Sequence, residues 1–218
     1  MKEARFVYLH GFASSSKAYK GQALREAFHD LGITLEVPDL NVPSFSGMTY
    51  SSILGFLDSL LQGIDQPLYM IGSSMGGYLA ARWAQKNPSR IRALVLLCPA
   101  FDLAGRWARN QGNELMQRWQ EEGELLVPDA SGLLQPLRWE FIEDARRHPT
   151  HPHSNVPTLI IHGTEDIIVP VSSSRDYART HPSITLHEVA DDHGLAASVD
   201  VIWHRVRQFF GLHSVNPS

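Results

Sequence analysis

Leu68-Tyr69-Met70-Ile71-Gly72-Ser73-Ser74-Met75-Gly76-Gly77-Tyr78-Leu79-Ala80-Ala81-Arg82-Trp83-Ala84 is the most informative stretch of this 218-residue chain. An apolar, β-type run enters it, a helical pattern leaves it, and Gly72-Ser73-Ser74-Met75-Gly76 stands between them. In a strand, tight turn, helix setting a G-x-S-x-G sequence forms a nucleophile elbow. The turn forces its serine into a strained backbone conformation, and the flanking glycines let strand and helix approach without Cβ clashes. Ser73 is the rival, but Ile71 and Met75 stand where its glycines would be needed. The register selects Ser74.

A serine hydroxyl attacks an acyl carbon only when a base takes its proton and an acid orients that base. Of eleven histidines, His193 stands in Asp191-Asp192-His193-Gly194-Leu195, after the last apolar run and before the last helical pattern. His187 lies inside a strand-like run, and His181 precedes Pro182 in an expected surface turn. Asp166 follows Leu159-Ile160-Ile161 in a short loop and is the expected acid; Asp102, after the fourth run, is the alternative, and Glu165 falls on the other side of the loop. The oxyanion formed by attack needs two donors, expected from the backbone NH groups of Met75 and Phe12. Gly11 lets the second loop turn inward, and His10 reads as a hydrogen-bonded loop anchor.

Six apolar runs recur: Phe6-Val7-Tyr8-Leu9, Leu35-Glu36-Val37-Pro38, Leu68-Tyr69-Met70-Ile71, Leu94-Val95-Leu96-Leu97, Thr158-Leu159-Ile160-Ile161 and Ile184-Thr185-Leu186-His187-Glu188-Val189. Most are continuously apolar, as strands covered on both faces are. Helical patterns near 18–31, 49–62, 76–87, 103–121, 172–180 and 196–210 separate them. This alternation predicts an α/β fold: a three-layer sandwich around a mainly parallel six-stranded sheet. Ligands of such sheets bind at the strands' carboxyl ends, where His10-Gly11-Phe12, Ser74, Asp166 and His193 all fall.

The length suits one domain, 1–218, with a cap-like insertion at about 102–155. That interval begins with a helical pattern carrying Leu103, Trp107, Leu115, Met116 and Trp119. Glu124-Leu125-Leu126-Val127 and Leu137-Arg138-Trp139-Glu140-Phe141 then read as a small hairpin around Asp129-Ala130-Ser131-Gly132. The insertion is expected to roof the site, with Leu103, Trp107 and Leu195 as pocket walls, or else its tryptophans only pack it onto the body.

Composition narrows the partners. The apolar share is 43%, the charged share 19% and the net charge −4, without a basic stripe, so neither nucleic acid nor membrane is an expected partner. A monomer or small homo-oligomer is expected. The N-terminus lacks a signal-peptide pattern, and the single Cys98 in an apolar run suits a buried small hydrophobe, so the expected setting is cytoplasmic. His148, His151 and His153 alternate with Pro149 and Pro152 as in a solvated loop; no metal and no cofactor is expected.

Together these residues resemble the α/β-hydrolase superfamily, whose order Ser, Asp, His is kept as Ser74, Asp166, His193. Tyr8-Leu9-His10-Gly11-Phe12-Ala13-Ser14-Ser15, Lys17-Ala18 and Ile71-Gly72-Ser73-Ser74-Met75-Gly76-Gly77-Tyr78 are similar to small bacterial YqiA-type esterases. That resemblance implies carboxylic-ester hydrolysis, with Ser74 as nucleophile and the Met75 and Phe12 amides as the oxyanion hole. Thioester, amide or carbon-carbon hydrolysis would use the same triad, and a non-catalytic binding protein of this fold is the remaining alternative. The opening antiparallel hairpin of larger members is not expected, and the insertion is longer than the small esterases need.

Overall fold

The computed structural model describes residues 4–212. Six strands, β1 (Arg5–Leu9), β2 (Leu35–Glu36), β3 (Leu68–Ser73), β4 (Ile91–Leu97), β7 (Thr158–Gly163) and β8 (Ile184–Val189), form one sheet in the order β2-β1-β3-β4-β7-β8. Every pairing in it is parallel. Each expected run forms a strand, although β2 stops at Glu36, before Val37-Pro38, where proline has no amide for the ladder.

Alternation along the strands divides the core. Val7, Leu9, Met70, Leu94, Leu96 and Ile160 face the side covered by α2 (Tyr50–Leu60) and α3 (Met75–Lys86). Phe6, Tyr8, Ile71, Val95, Leu97 and Ile161 face the side covered by α1 (Tyr19–His29) and α7 (Val199–Phe210). Strands buried on both faces need apolar residues at every position, which explains their continuous runs. Tyr177 of α6 (Val171–Arg179) joins the first of these clusters.

The insertion lies between β4 and β7. It comprises α4 (Leu103–Glu122), the antiparallel hairpin β5 (Glu124–Pro128) and β6 (Leu134–Arg138), and α5 (Glu140–Arg146). Gly112, at φ 79° and ψ 159°, interrupts α4, so its first part and the segment bearing Met116 and Trp119 take separate directions. Met116 and Trp119 enter the core, and Trp119 Nε1 donates to the Leu137 carbonyl at 2.9 Å.

One expectation about the insertion is corrected. The second hairpin arm is Leu134–Arg138, while Glu140 and Phe141 belong to the unexpected helix α5, whose first turn carries Glu140 and Glu143 against the positive end of the helix. Trp119 and Trp139 do not wall a pocket: both are buried in packing, so for these two the packing alternative holds. No helix among the described residues is long and apolar enough to cross a membrane.

Candidate active site

Ser74 occupies the turn between β3 and α3 at φ 53° and ψ −117°, a conformation costly for any residue with a Cβ. Close packing imposes it. A Cβ on Gly72 would stand 2.4 Å from the Gly76 carbonyl oxygen, and one on Gly76 would stand 2.2 Å from that of Leu9. A Cβ on Gly11 would meet the Ser74 Cβ at 3.3 Å, so the loop after β1 also reaches the elbow because it has none. The Ser74 amide donates to the Leu97 carbonyl at 2.9 Å, tying the elbow to β4.

The loops after β8 and β7 bring His193 and Asp166 to this serine. His193 Nδ1 donates to Asp166 Oδ2 at 2.7 Å, leaving Nε2 to accept from the Ser74 hydroxyl at 3.0 Å. Asp166 Oδ1 accepts the amides of Ile168 (2.9 Å) and Val169 (2.7 Å). Burial alone would raise the Asp166 pKa, but hydrogen bonds from His162, His193 and the Val169 amide outweigh it and hold the carboxyl below the ordinary carboxylate range. Asp166 therefore stays charged beside an imidazole that can take the serine proton.

Two supporting side chains escaped the sequence reading. His162, fully buried at the end of β7, has Nε2 3.2 Å from Asp166 Oδ2 and 2.7 Å from the Val169 carbonyl; its Nδ1 accepts from the Ser174 hydroxyl at 2.7 Å. The His-x-x-x-Asp spacing from 162 to 166 was the available signal. Half-buried Lys20 donates to the His193 carbonyl at 3.4 Å. Cys98 could join Asp166 and His193 as a metal-ligand set, yet burial pushes its thiol up to about 12, and the other two groups are already bonded to each other.

A second Ser-His-Asp cluster resembles a triad in composition. Ser51, in the first turn of α2, donates its amide and its hydroxyl to Asp144 of α5, each at 2.7 Å. His148 Nε2 lies 3.1 Å from Ser51 Oγ and 3.4 Å from Asp144 Oδ2, while Nδ1 has no hydrogen-bond partner among the described residues. Serine and acid thus share one imidazole nitrogen, and the hydroxyl proton points at the acid.

Other expected residues fall as follows. His10 is a loop anchor: Nε2 accepts the Leu40 amide at 2.9 Å, and Nδ1 donates to the Gly11 carbonyl at 2.8 Å. Asp102 caps α4 through the Gly105 amide and pairs with Arg109 at 2.9 Å, making no hydrogen bond with His193. His181 is buried instead of lying on the surface. His151 and His153 are exposed, but His148 is half-buried and the following Pro149 carbonyl is held by the Tyr78 hydroxyl at 2.7 Å, correcting the loop reading there.

Ser74 and His193 open into a cavity of about 520 Å³, also lined by Phe12, Leu103, Arg106 and Trp107. Trp107 and Leu103 thus line the cavity. Leu195 does not: at φ 52° its loop turns the side chain fully into the core beneath the sheet. Among the described residues, the amides of Phe12 and Met75 donate to no backbone carbonyl, and Met75 opens α3, where amides lack intrahelical acceptors.

This sheet, with its elbow serine and its later histidine and aspartate, is that of an α/β hydrolase. The chain belongs to the uncharacterised protein family UPF0227, whose model matches residues 5–210. The mitochondrial palmitoyl-protein thioesterase ABHD10 of Rattus norvegicus is 24% identical over 226 residues, covering 91% of this chain and 75% of the relative. Among solved structures, Est1E from Butyrivibrio proteoclasticus with bound ferulic acid superposes with a TM-score of 0.80 at 22% identity, covering 96% of this chain and 88% of Est1E. Mouse ABHD10 also gives 0.80, at 21% identity, with 96% and 90% covered.

Proposed function

We propose that the protein hydrolyses carboxylic esters through Ser74, His193 and Asp166. The observation that carries this reading is the unbroken Asp166–His193–Ser74 relay, at 2.7 and 3.0 Å, opening into a cavity of about 520 Å³. His193 Nε2 takes the Ser74 proton as Oγ bonds to the acyl carbon, and the carbonyl electron pair moves onto oxygen between the Phe12 and Met75 amides. When that pair returns, the C–O bond breaks and His193 passes its proton to the departing alcohol. Water, deprotonated by the same nitrogen, then frees the acid and Ser74 regains its proton.

The sequence similarity to YqiA-type esterases supports the ester reading. The thioesterase named among the relatives supports a second, since a thiolate leaves from the same intermediate without another residue. A single unpaired cysteine is compatible with the reducing cytoplasmic setting we propose. We further propose a monomer or small homo-oligomer acting on a small molecule. The test is labelling by a fluorophosphonate together with hydrolysis of 4-nitrophenyl butyrate and butyryl-coenzyme A. Ester turnover with Ser74-dependent labelling is expected; no turnover and no labelling overturns the reading, and a large excess of thioester over ester turnover replaces it by the second.

A further inference from the structure

Residues 103, 106, 107, 110 and 111 follow the i, i+3, i+4, i+7, i+8 rule for one face of a helix, and that face of α4 lines the cavity holding Ser74 and His193. Leu103 and Trp107 make part of it apolar. Arg106, half-buried, and the exposed Asn110 and Gln111 make the rest polar.

Arg106 has few protein partners for its five N–H donors. One nitrogen donates to the Phe101 carbonyl, and no carboxylate among the described residues lies within ion-pair distance. The acids whose charge it feels are committed elsewhere: Asp102 to Arg109 and the Gly105 amide, Asp166 to His193 and two backbone amides. A cation partly withdrawn from water without a counter-ion is unfavourable until an anion joins it. The planar guanidinium also matches a carboxylate in two parallel hydrogen bonds.

We propose that Arg106 is a specificity-determining residue that receives a carboxylate carried by the substrate away from the scissile bond, so that singly charged esters, such as hemiesters of dicarboxylic acids, are the preferred substrate class. The proposal rests on the ester-hydrolase reading of Ser74. Asn110 and Gln111, on the same face, supply further amide donors to that anion.

Two pairs of esters test it and locate the charge. Mono-4-nitrophenyl adipate against 4-nitrophenyl hexanoate places the carboxylate on the acyl half; 4-(butyryloxy)benzoate against phenyl butyrate places it on the alcohol half. In one pair the unmodified protein is expected to favour the charged ester in kcat/KM by about ten- to a hundredfold, and added salt should shrink that preference. Arg106→Met should erase it, mainly by raising KM for the charged ester, so that the charged ester loses more than its neutral partner by the factor of the original preference. Arg106→Lys should retain part of it. Neutral preference in both pairs overturns the proposal while leaving the Ser74 reading intact, as does equal loss on both members of a pair in a folded Arg106→Met. The preference of the unmodified protein is read without any variant. Hydrolysis of none of the four esters, with no fluorophosphonate labelling, removes the Ser74 reading and this proposal together.

Discussion

Ser74 and Ser51 each lie within hydrogen-bond reach of a histidine that also contacts an aspartate, but the order of contacts differs. Around His193 the acid holds Nδ1 and the serine holds Nε2, so the ring stands between them and can carry a proton from one side while charge is balanced on the other. Around His148 both partners crowd Nε2, and Ser51 already gives its proton to Asp144. The backbones differ too. Ser74 is strained at φ 53° beside a cavity, whereas Ser51 sits in a regular first helical turn whose amide Asp144 satisfies. The same three residue types therefore make a proton relay in one place and a clasp between α2 and α5 in the other; the sequence of contacts around the imidazole separates the two.

The largest effect expected is on Ser74→Ala, which should lower ester turnover by about 10⁶ and abolish fluorophosphonate labelling. Ser51→Ala should keep turnover within a few-fold. Equal loss from the two, both folded, would break the distinction. Next comes Asp166→Asn, which leaves the His193 ring in the wrong tautomer and should cost about 10⁴ in kcat, against little change for Asp102→Asn.

Stability should show the reverse ranking. Asp144→Ala leaves the Ser51 amide and hydroxyl without their acceptor, a cost of about 2–3 kcal/mol, seen as a fall of roughly 4–12 °C in Tm. Ser74→Ala should not lower Tm. A melt in which Asp144→Ala matches the unmodified protein would show that the clasp carries no stability.

The smallest effect concerns pH. Burial lowers the His148 pKa despite the attraction of Asp144, with Arg82 acting in the same direction as burial, so the folded value lies below the unfolded value of about 6.5. The unfolded chain then takes the proton first. The contribution is complete above that pH and is lost as pH falls toward the folded value. Asp166, depressed on the acid side, keeps its contribution down to about pH 3.9 and loses it as pH falls further through its folded value. Urea midpoints between roughly pH 7 and 5 should therefore decline with acidification in the unmodified protein and decline less in His148→Gln, where His187, lowered by burial and by Arg205, still contributes in the same direction. A rise in stability on acidification would contradict the burial argument.

The relay was legible in the sequence because each of its parts is fixed by local backbone chemistry. The elbow needs its glycines at 72 and 76, and Asp166 and His193 follow strand ends that a parallel sheet must align. What stayed hidden depends on closure over long separations. Ser51 and Asp144 are 93 residues apart, and nothing near either announces the other. His162 looks like an ordinary residue of a buried strand until Ser174 and Asp166 close on it. Leu195 misled for the opposite reason: proximity to His193 suggested the pocket, and one positive φ sent its side chain to the core. Helix α5 was missed because seven residues carry too little periodicity to stand out from a hairpin arm.

Cys98 is buried beneath the relay with its thiol pushed up to about 12, so almost none of it is thiolate at neutral pH. Because it is the one cysteine of the chain, alkylating dyes are expected to label the unmodified protein little. A cysteine placed at Ile167, which is 88% exposed beside the cavity-lining Ile168, would become a single addressable position at the mouth of the site. A fluorophore attached there could report occupancy of the cavity directly, without a chromogenic substrate and without first removing the native thiol.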